Sequence, residues 1–152
     1  MGGGLVTDAA GARAAERLLV VPVLPPAAGS TEPRYVLVRW PDWPHAAMLP
    51  LALAGADDAL DDAVATLLRS RLQLDAAGPA TLAAERVPVR LAQPRIGVHG
   101  PGWLRGVRAP ASGDPQPDAL LDGYVALPLA EALAALSTDV ERAVLRSVGQ
   151  LP

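Results

Sequence analysis

The chain has 152 residues, of which 51% are hydrophobic, and its mass is 15.6 kDa. This length supports one hydrophobic core and excludes two domains of ordinary size. A net charge of -3 excludes a general nucleic-acid binder, which needs a basic surface, and the absence of cysteine excludes disulfides and thiolate metal sites.

All 13 basic residues are arginine. Lysine, asparagine and phenylalanine are missing as well, which indicates the codon bias of a high-GC bacterial genome more than it indicates a function. No apolar run approaches the ~18 residues of a membrane-spanning helix. We therefore expect a cytoplasmic protein that binds neither membranes nor nucleic acids in general.

The N-terminal part combines a glycine-rich start with a first apolar run. Residues 1–15 lack periodicity and predict a flexible arm, so a single domain is expected over residues 16–152. Residues 13–30 superficially resemble a signal peptide, with arginines before an apolar run and small residues after it. Glu16 within the basic part and the prolines that end the run favour a buried first strand over residues 18–24 instead.

The next segment combines a strand with a proline-rich stretch. Residues 34–40 predict a second buried strand. Prolines at positions 41, 44 and 50 disfavour a helix and set extended or turning backbone. We therefore expect a loop over residues 41–50 that crosses the end of a sheet.

An amphipathic helix is predicted over residues 59–74, capped by Asp57 or Asp58. Asp61 and Asp62 lie in its first turn, where the helix dipole favours negative charge. Because the helix start explains these four aspartates, they are not assigned to a metal site. The expected buried stripe consists of Leu60, Val64, Leu67 and Leu68.

The second half of the chain predicts more strands and then helices. The strands cover residues 81–91, 103–109 and 124–127, and Pro88 marks the first of them as an edge strand. Pro128 suits the first turn of a helix whose apolar face carries Leu129, Leu133 and Leu136. The capping box of residues 138–141 opens a terminal helix that Gly149 would end. This order favours a mixed-sheet α/β sandwich.

The order of strand, proline-rich segment and helix in residues 35–74 resembles the Nudix hydrolases. Their pattern is G-x5-E-x7-R-E-U-x-E-E-x-G-U, where U is a bulky apolar residue. In one alignment Leu68 and Leu74 occupy the two U positions, and Leu49 and Pro50 match the residues that usually precede the pattern. The late segment DGYVALPLAEALAAL is also similar to a strand and helix of that family. The resemblance implies a Nudix-like α/β/α sandwich with a mixed sheet.

Most carboxylates of the Nudix pattern are replaced in this chain. In the first alignment Asp58 takes the first glutamate position. The three later glutamate positions hold Leu67, Ser70 and Arg71, and the glycine position holds Gln73. This alignment describes a degenerate Nudix box with one surviving carboxylate.

A rival alignment starts three residues later. It matches Gly55, Asp61 and Arg69 to the first glycine, the first glutamate and the arginine of the pattern. It places Arg71 at a buried apolar position. The later glutamate positions then hold Ser70, Gln73 and Leu74. The glutamate cluster is therefore lost in either alignment.

The glutamates of the family hold Mg²⁺, which bridges a diphosphate and activates water. We therefore predict a Nudix-fold pseudo-enzyme without a cofactor that binds a nucleotide-like or phosphorylated ligand, or a protein partner. Two alternatives stay open. One is a Mg²⁺-dependent hydrolase of nucleoside diphosphate-linked compounds that uses the displaced carboxylates Asp58, Asp118 and Asp122. The other is a structural homodimerisation domain.

The ligand-binding candidates are arginines and tryptophans, because guanidinium groups contact phosphates and indole rings stack on bases. They are Arg39, Trp43, Arg71, Trp103, Arg105 and Arg108. No acidic residue lies between Arg86 and Arg108, so this stretch predicts a phosphate-binding wall, with solvent-coated strand faces as the alternative. His45 and His99 lack the spacing of a metal or catalytic pair and are expected to face solvent.

Overall fold

The computed structural model describes residues 15–51, 59–90 and 101–151. Its strands are β1 (Ala15–Leu24), β2 (Arg34–Arg39), β3 (Ala46–Ala47), β4 (Leu49–Leu51), β5 (Asp75–Ala76), β6 (Thr81–Val89), β7 (Gly102–Ser112) and β8 (Gly123–Leu127). Its helices are α1 (Leu60–Leu72), α2 (Leu129–Ala135) and α3 (Asp139–Gly149), and none of these is long and apolar enough to cross a membrane. The predicted arm lies outside the described residues except for Ala15, which begins β1.

β1 is a central strand of one mixed sheet. It runs parallel to β7 from the pair Ala15–Gly102 to the pair Val23–Pro110. Its other edge is shared by two antiparallel strands, with β4 beside its middle and β2 beside its end. β8 and β3 pair with β2, while β6 and β5 pair with β7. In the described part of the chain, β8 and β6 each have a partner on one side only.

Both faces of β1 are buried because its side chains alternate between two helical layers. Leu19 and Val21 belong to the core beneath α2 and α3, whereas Leu18 and Val20 belong to the core beneath α1. Pro22 lies between the last residue paired with β4 and the first paired with β2, so it interrupts neither antiparallel ladder. The expected α/β/α sandwich with a mixed sheet is confirmed.

The apolar stripe of α1 packs on one face of this sheet. Val64, Leu68 and Leu72 are buried, and Leu60 and Leu67 are partly buried against the same core. The predicted stripe is therefore confirmed and continues one turn further, to the last residue of the helix. Its 3.6-residue spacing is the reason why these side chains share one face.

The start of α1 differs from the predicted cap. Ala59 is the N-cap residue and its side chain makes no capping hydrogen bond, while Asp57 and Asp58 lie outside the described residues. Asp61 is in the first turn, as predicted, and its Oδ1 accepts the Ala80 N–H at 2.7 Å. This carboxylate therefore ties the chain before β6 to the start of the helix.

The predicted capping box opens α3. Thr138 Oγ1 accepts the Glu141 N–H and donates to Glu141 Oε1, at 3.1 Å in each case. Gly149 does not end the helix by a left-handed turn, because it is the last helical residue and Gln150 forms the C-cap in a right-handed conformation. A Cβ at Gly149 would lie 2.6 Å from Leu129 Cδ2, so a side chain there would displace the Leu129 side chain of α2.

The predicted loop over residues 41–50 is partly strand, and β7 is longer than predicted. The turn after β2 closes with a 3.1 Å hydrogen bond from the Trp43 N–H to Trp40 O, but β3 and β4 follow within the proline-rich segment. Pro50 pairs with Leu19, because proline's extended backbone is compatible with a strand once tertiary packing holds it there. β7 continues to Ser112, beyond its predicted end, where its last residues pair with β5.

Candidate functional site

The C-terminal end of α1 has an unusual backbone. Gln73 adopts the left-handed conformation, with φ 53° and ψ 37°, and is the only non-glycine residue with positive φ in the described ranges. Its N–H donates to Arg69 O at 3.1 Å, and the Leu74 N–H donates to Leu68 O at 3.2 Å. These bonds satisfy helix carbonyls in a turn that glycine adopts most readily. Leu68 and Leu74 are fully buried on either side of the turn.

We expect Gln73→Gly to raise the free energy of unfolding by about 0.5–1 kcal/mol, because a Cβ is strained in this conformation. Chemical denaturation of the purified variant measures the change. Gln73→Ala is the matched control, since it removes the same side chain but keeps the Cβ. A Gln73→Gly variant no more stable than Gln73→Ala would contradict a strained left-handed residue.

The exposed side of the last two turns of α1 carries a mixed set of side chains. Leu67 packs at the edge of the core, and Ser70 donates its hydroxyl to Leu67 O at 3.3 Å. Arg71 forms an ion pair with Asp118, with 2.8 Å between Nη1 and Oδ2, and both side chains are about three-quarters buried. An apolar group, a hydroxyl and a neutralised cation do not match the oxygen-rich ligand set of Mg²⁺.

The loop between β7 and β8 closes over the end of α1. Gln116 and Asp118 donate their N–H groups to Leu72 O at 2.7 Å and Arg71 O at 2.9 Å. Asp118 Oδ1 also accepts the Leu120 N–H at 2.9 Å. The carboxylate that was a catalytic candidate is therefore engaged by an arginine and a backbone amide, and it fastens this loop to the helix.

The structure does not place the other two carboxylate candidates, Asp58 and Asp122, beside Asp118. Asp122 lies at the far end of the same loop, where its N–H donates to Arg39 O of β2 at 2.7 Å. Asp58 is outside the described residues. In residues 15–51, 59–90 and 101–151, no group of three or more His, Cys, Asp or Glu side chains could hold a metal ion.

Four side chains meet on the α1 side of the sheet, at the N-terminal ends of β1 and β7. We call this set the arginine–tryptophan face: Glu16, Arg86, Trp103 and Arg105. Alternation along β7 places Trp103 and Arg105 on the same side as buried Val107. Glu16 is the register partner of Trp103, and Arg86 is the register partner of Arg105.

Two like charges are directly opposed on this face. Arg86 and Arg105 occupy paired positions on adjacent strands, an arrangement that destabilises a sheet unless an anion compensates it. Glu16 contacts Arg86, with 3.0 Å between Oε2 and Nε. Arg105 donates its Nε–H to Ala83 O at 2.6 Å. Trp103 beside it is 37% exposed, so cationic and aromatic groups are both accessible at one place.

The remaining candidates lie elsewhere. Arg108 is on the opposite side of β7, where Nη1 donates to Leu151 O at 3.2 Å, so the predicted arginine wall is divided between two faces. Arg39 is exposed at the end of β2. Trp43 is half-buried and makes an edge contact with exposed His45, with ring centroids 5.4 Å apart. His99 falls outside the described residues.

Glu16 is the member of the face that sequence reasoning missed. It is an acidic residue in a basic segment, but 70 positions separate it from Arg86. No local pattern connects two residues at that distance. The parallel pairing of β1 with β7 and the antiparallel pairing of β6 with β7 bring them together.

Solved structures with a fold similar to that of this chain include several Nudix proteins. The C. elegans Ap4A hydrolase, solved as a binary complex, matches with a TM-score of 0.62 and 12% identity over 88% of this chain and 94% of that one. The Nudix domain of Shewanella oneidensis NrtR, solved with ADP ribose, matches with a TM-score of 0.58 and 14% identity, covering 95% and 92%. The Nudix hydrolase RenU from M. smegmatis matches with a TM-score of 0.53 and 10% identity, covering 89% and 84%.

These similarities establish that the chain has a Nudix-like α/β/α fold. No protein-family model and no curated protein match the sequence, so the relationship rests on the structure. Identities of 10–14% extend to the fold and not to an activity.

Proposed function

We propose that this Nudix-fold protein binds a nucleotide-like or phosphorylated small molecule on the arginine–tryptophan face and does not hydrolyse it by Mg²⁺ chemistry. The observation that carries the proposal is the opposed pair Arg86 and Arg105 beside the accessible ring of Trp103. One carboxylate, Glu16, contacts this pair within the described residues. An anionic ligand would supply the missing negative charge.

The proposal includes a degenerate Nudix box in α1. The first of the two alignments is supported by the helix end, because it assigns the glycine position to left-handed Gln73 and both apolar positions to buried Leu68 and Leu74. The rival alignment assigns an apolar position to Arg71, which is ion-paired with Asp118. We infer that the first alignment is the correct one.

Under this alignment, the three later glutamate positions hold groups that cannot replace carboxylates. Leu67 has no ligand atom, Ser70 offers a neutral hydroxyl, and Arg71 repels a dication. The ion pair with Asp118 offsets the charge of Arg71 and occupies a carboxylate that would otherwise be a candidate metal ligand. No catalytic step is therefore assigned to Mg²⁺ in this protein, and the pseudo-enzyme is proposed to need no cofactor.

The chemistry of the face defines the ligand class. Arg105 uses its Nε–H on Ala83 O, which fixes the guanidinium and leaves its terminal N–H groups to contact phosphate oxygens. Trp103 offers an indole face on which a nucleobase can stack. A phosphate and a base on neighbouring groups describe a nucleotide or a dinucleotide. ADP-ribose and Ap4A, which relatives of this fold bind or hydrolyse, are accordingly the first compounds to test.

The test is calorimetric titration of the full chain with ADP-ribose, Ap4A and inorganic pyrophosphate, each with Mg²⁺ and with chelator, followed by product analysis. We expect the binding affinity to be the same with Mg²⁺ and with chelator, and we expect no hydrolysis product. Arg105→Ala should weaken the affinity about 10- to 100-fold, since a hydrogen bond to a charged group contributes about 1.5–3 kcal/mol. Trp103→Ala should weaken it about tenfold by removing a stacking surface.

Arg146→Ala is the matched control, because it removes an exposed arginine from α3 on the opposite side of the sheet and should leave affinity unchanged. Metal-dependent turnover would overturn the non-hydrolytic assignment. Binding that neither Arg105→Ala nor Trp103→Ala weakens would overturn the location. Absence of binding to the whole panel would overturn the ligand class.

A further inference from the structure

Two outer strands of the described sheet, β6 and β8, differ in how they resist pairing with another chain. β6 has a register shift between Leu82 and Arg86, a proline at position 88, and the charged neighbours Glu85 and Arg86. Bulges, prolines and charges are the features that keep an edge strand from adding a further strand. β6 is therefore a protected edge.

β8 carries none of these features. Its sequence, GYVAL, has neither a charge nor a proline, and its five residues pair with β2 in unbroken register from Gly123–Arg39 to Leu127–Tyr35. Among the described residues it has no partner on the side away from β2. Exposed Tyr124 and Leu120, at 38% and 59%, lie on and beside this strand. A regular, uncharged strand with one unpaired side is a template for β-strand addition.

We infer that β8 pairs antiparallel with β8 of a second copy of this chain, about a two-fold axis through Val125. That axis sets Val125 opposite Val125, Tyr124 opposite Ala126, and Gly123 opposite Leu127. Two of these pairs join a large side chain to a small one, and none brings like charges together. A two-fold contact also satisfies both unpaired edges at once and closes the assembly as a dimer.

The face of β8 on the α1 side of the sheet supports this pairing. Tyr124 and Ala126 pair with Val38 and Val36, which belong to the core beneath α1, so they lie on that side of the sheet. There the exposed Tyr124 ring of each copy would cover the small Ala126 of the other. This aromatic contact buries apolar surface that the single chain leaves exposed.

The test is the molecular mass of the ligand-free full chain by sedimentation equilibrium over a range of protein concentrations. We expect a dimer that Tyr124→Lys weakens at least about tenfold, because the two introduced ammonium groups are diagonal neighbours across the axis. Tyr124→Glu should weaken it likewise. An equimolar mixture of the two variants should recover the dimer, which a merely misfolded variant could not do.

Thr81→Lys is the matched control, since it adds the same charge to the exposed start of β6 and should leave the dimer intact. Far-UV circular dichroism and thermal melting verify that each variant is folded. A wild-type chain that is monomeric at its highest soluble concentration would overturn the inference. A dimer that persists in Tyr124→Lys, or one that the charge-complementary mixture fails to recover, would overturn it equally.

Discussion

Leu68→Ala is expected to lower the free energy of unfolding by about 2–5 kcal/mol, the cost of truncating a leucine in a packed core. Leu68 is fully buried between α1 and the sheet, in contact with the cluster that contains Val20, Val107 and Leu72. Truncation removes apolar contacts and leaves a cavity that the neighbouring strands cannot fill without moving. Urea denaturation with a single cooperative transition measures the change.

Leu67→Ala is the matched control, because it makes the same chemical change one residue earlier on the half-exposed side of α1. It should cost about 1 kcal/mol, since less apolar area is buried there. The difference between the two losses tests the proposed box. In the first alignment, Leu68 occupies an apolar position that faces the core, and Leu67 occupies a glutamate position at its edge. Equal losses from the two variants would contradict the first alignment.

Gly106→Val is expected to cost about 1–3 kcal/mol, even though valine favours strands, because the chain has no room for a side chain there. A Cβ at Gly106 would lie 2.4 Å from Val148 Cγ2 and 3.2 Å from Val144 O. Both belong to α3, so the missing side chain allows this helix to pack closely on β7. The midpoint and slope of denaturant unfolding report the loss.

Gly78→Ala provides the comparison, since a Cβ there meets only Pro110 side-chain atoms at 3.6 Å, an ordinary contact distance. We expect its stability to stay within about 0.5 kcal/mol of the wild type, as for most surface substitutions. If Gly106→Val were equally mild, α3 would have to pack less closely on β7 than described. The helix would then have to move to make room for the valine side chain.

The ion pair between Arg71 and Asp118 fastens the loop between β7 and β8 to the C-terminal end of α1. In the proposed alignment, Arg71 lies at a glutamate position, and a largely buried cation there needs a partner. Asp118 supplies it, and the same loop donates two N–H groups to the last carbonyls of α1. Under the proposed alignment, positions that carry metal ligands in the family pattern serve here to hold a loop.

Much of the fold was predictable because its signals are local. The continuous apolar run of β1, the apolar stripe of α1 and the box that joins Thr138 to Glu141 each depend on residues a few positions apart. Helix period, strand period and capping chemistry act over that range. The prediction of a loop at residues 41–50 was wrong in part because proline excludes a helix without choosing between loop and strand.

The amino-acid sequence by itself determined the order of the longer elements, the side of α1 that is buried and the residue types at the pattern positions. Only the tertiary structure decided that Arg71 meets Asp118, that Arg86 opposes Arg105, that Arg108 lies on the other face, and that β8 is an edge. The reason is register. Alternation tells which residues of a strand share a face, but the pairing of distant strands decides what that face meets.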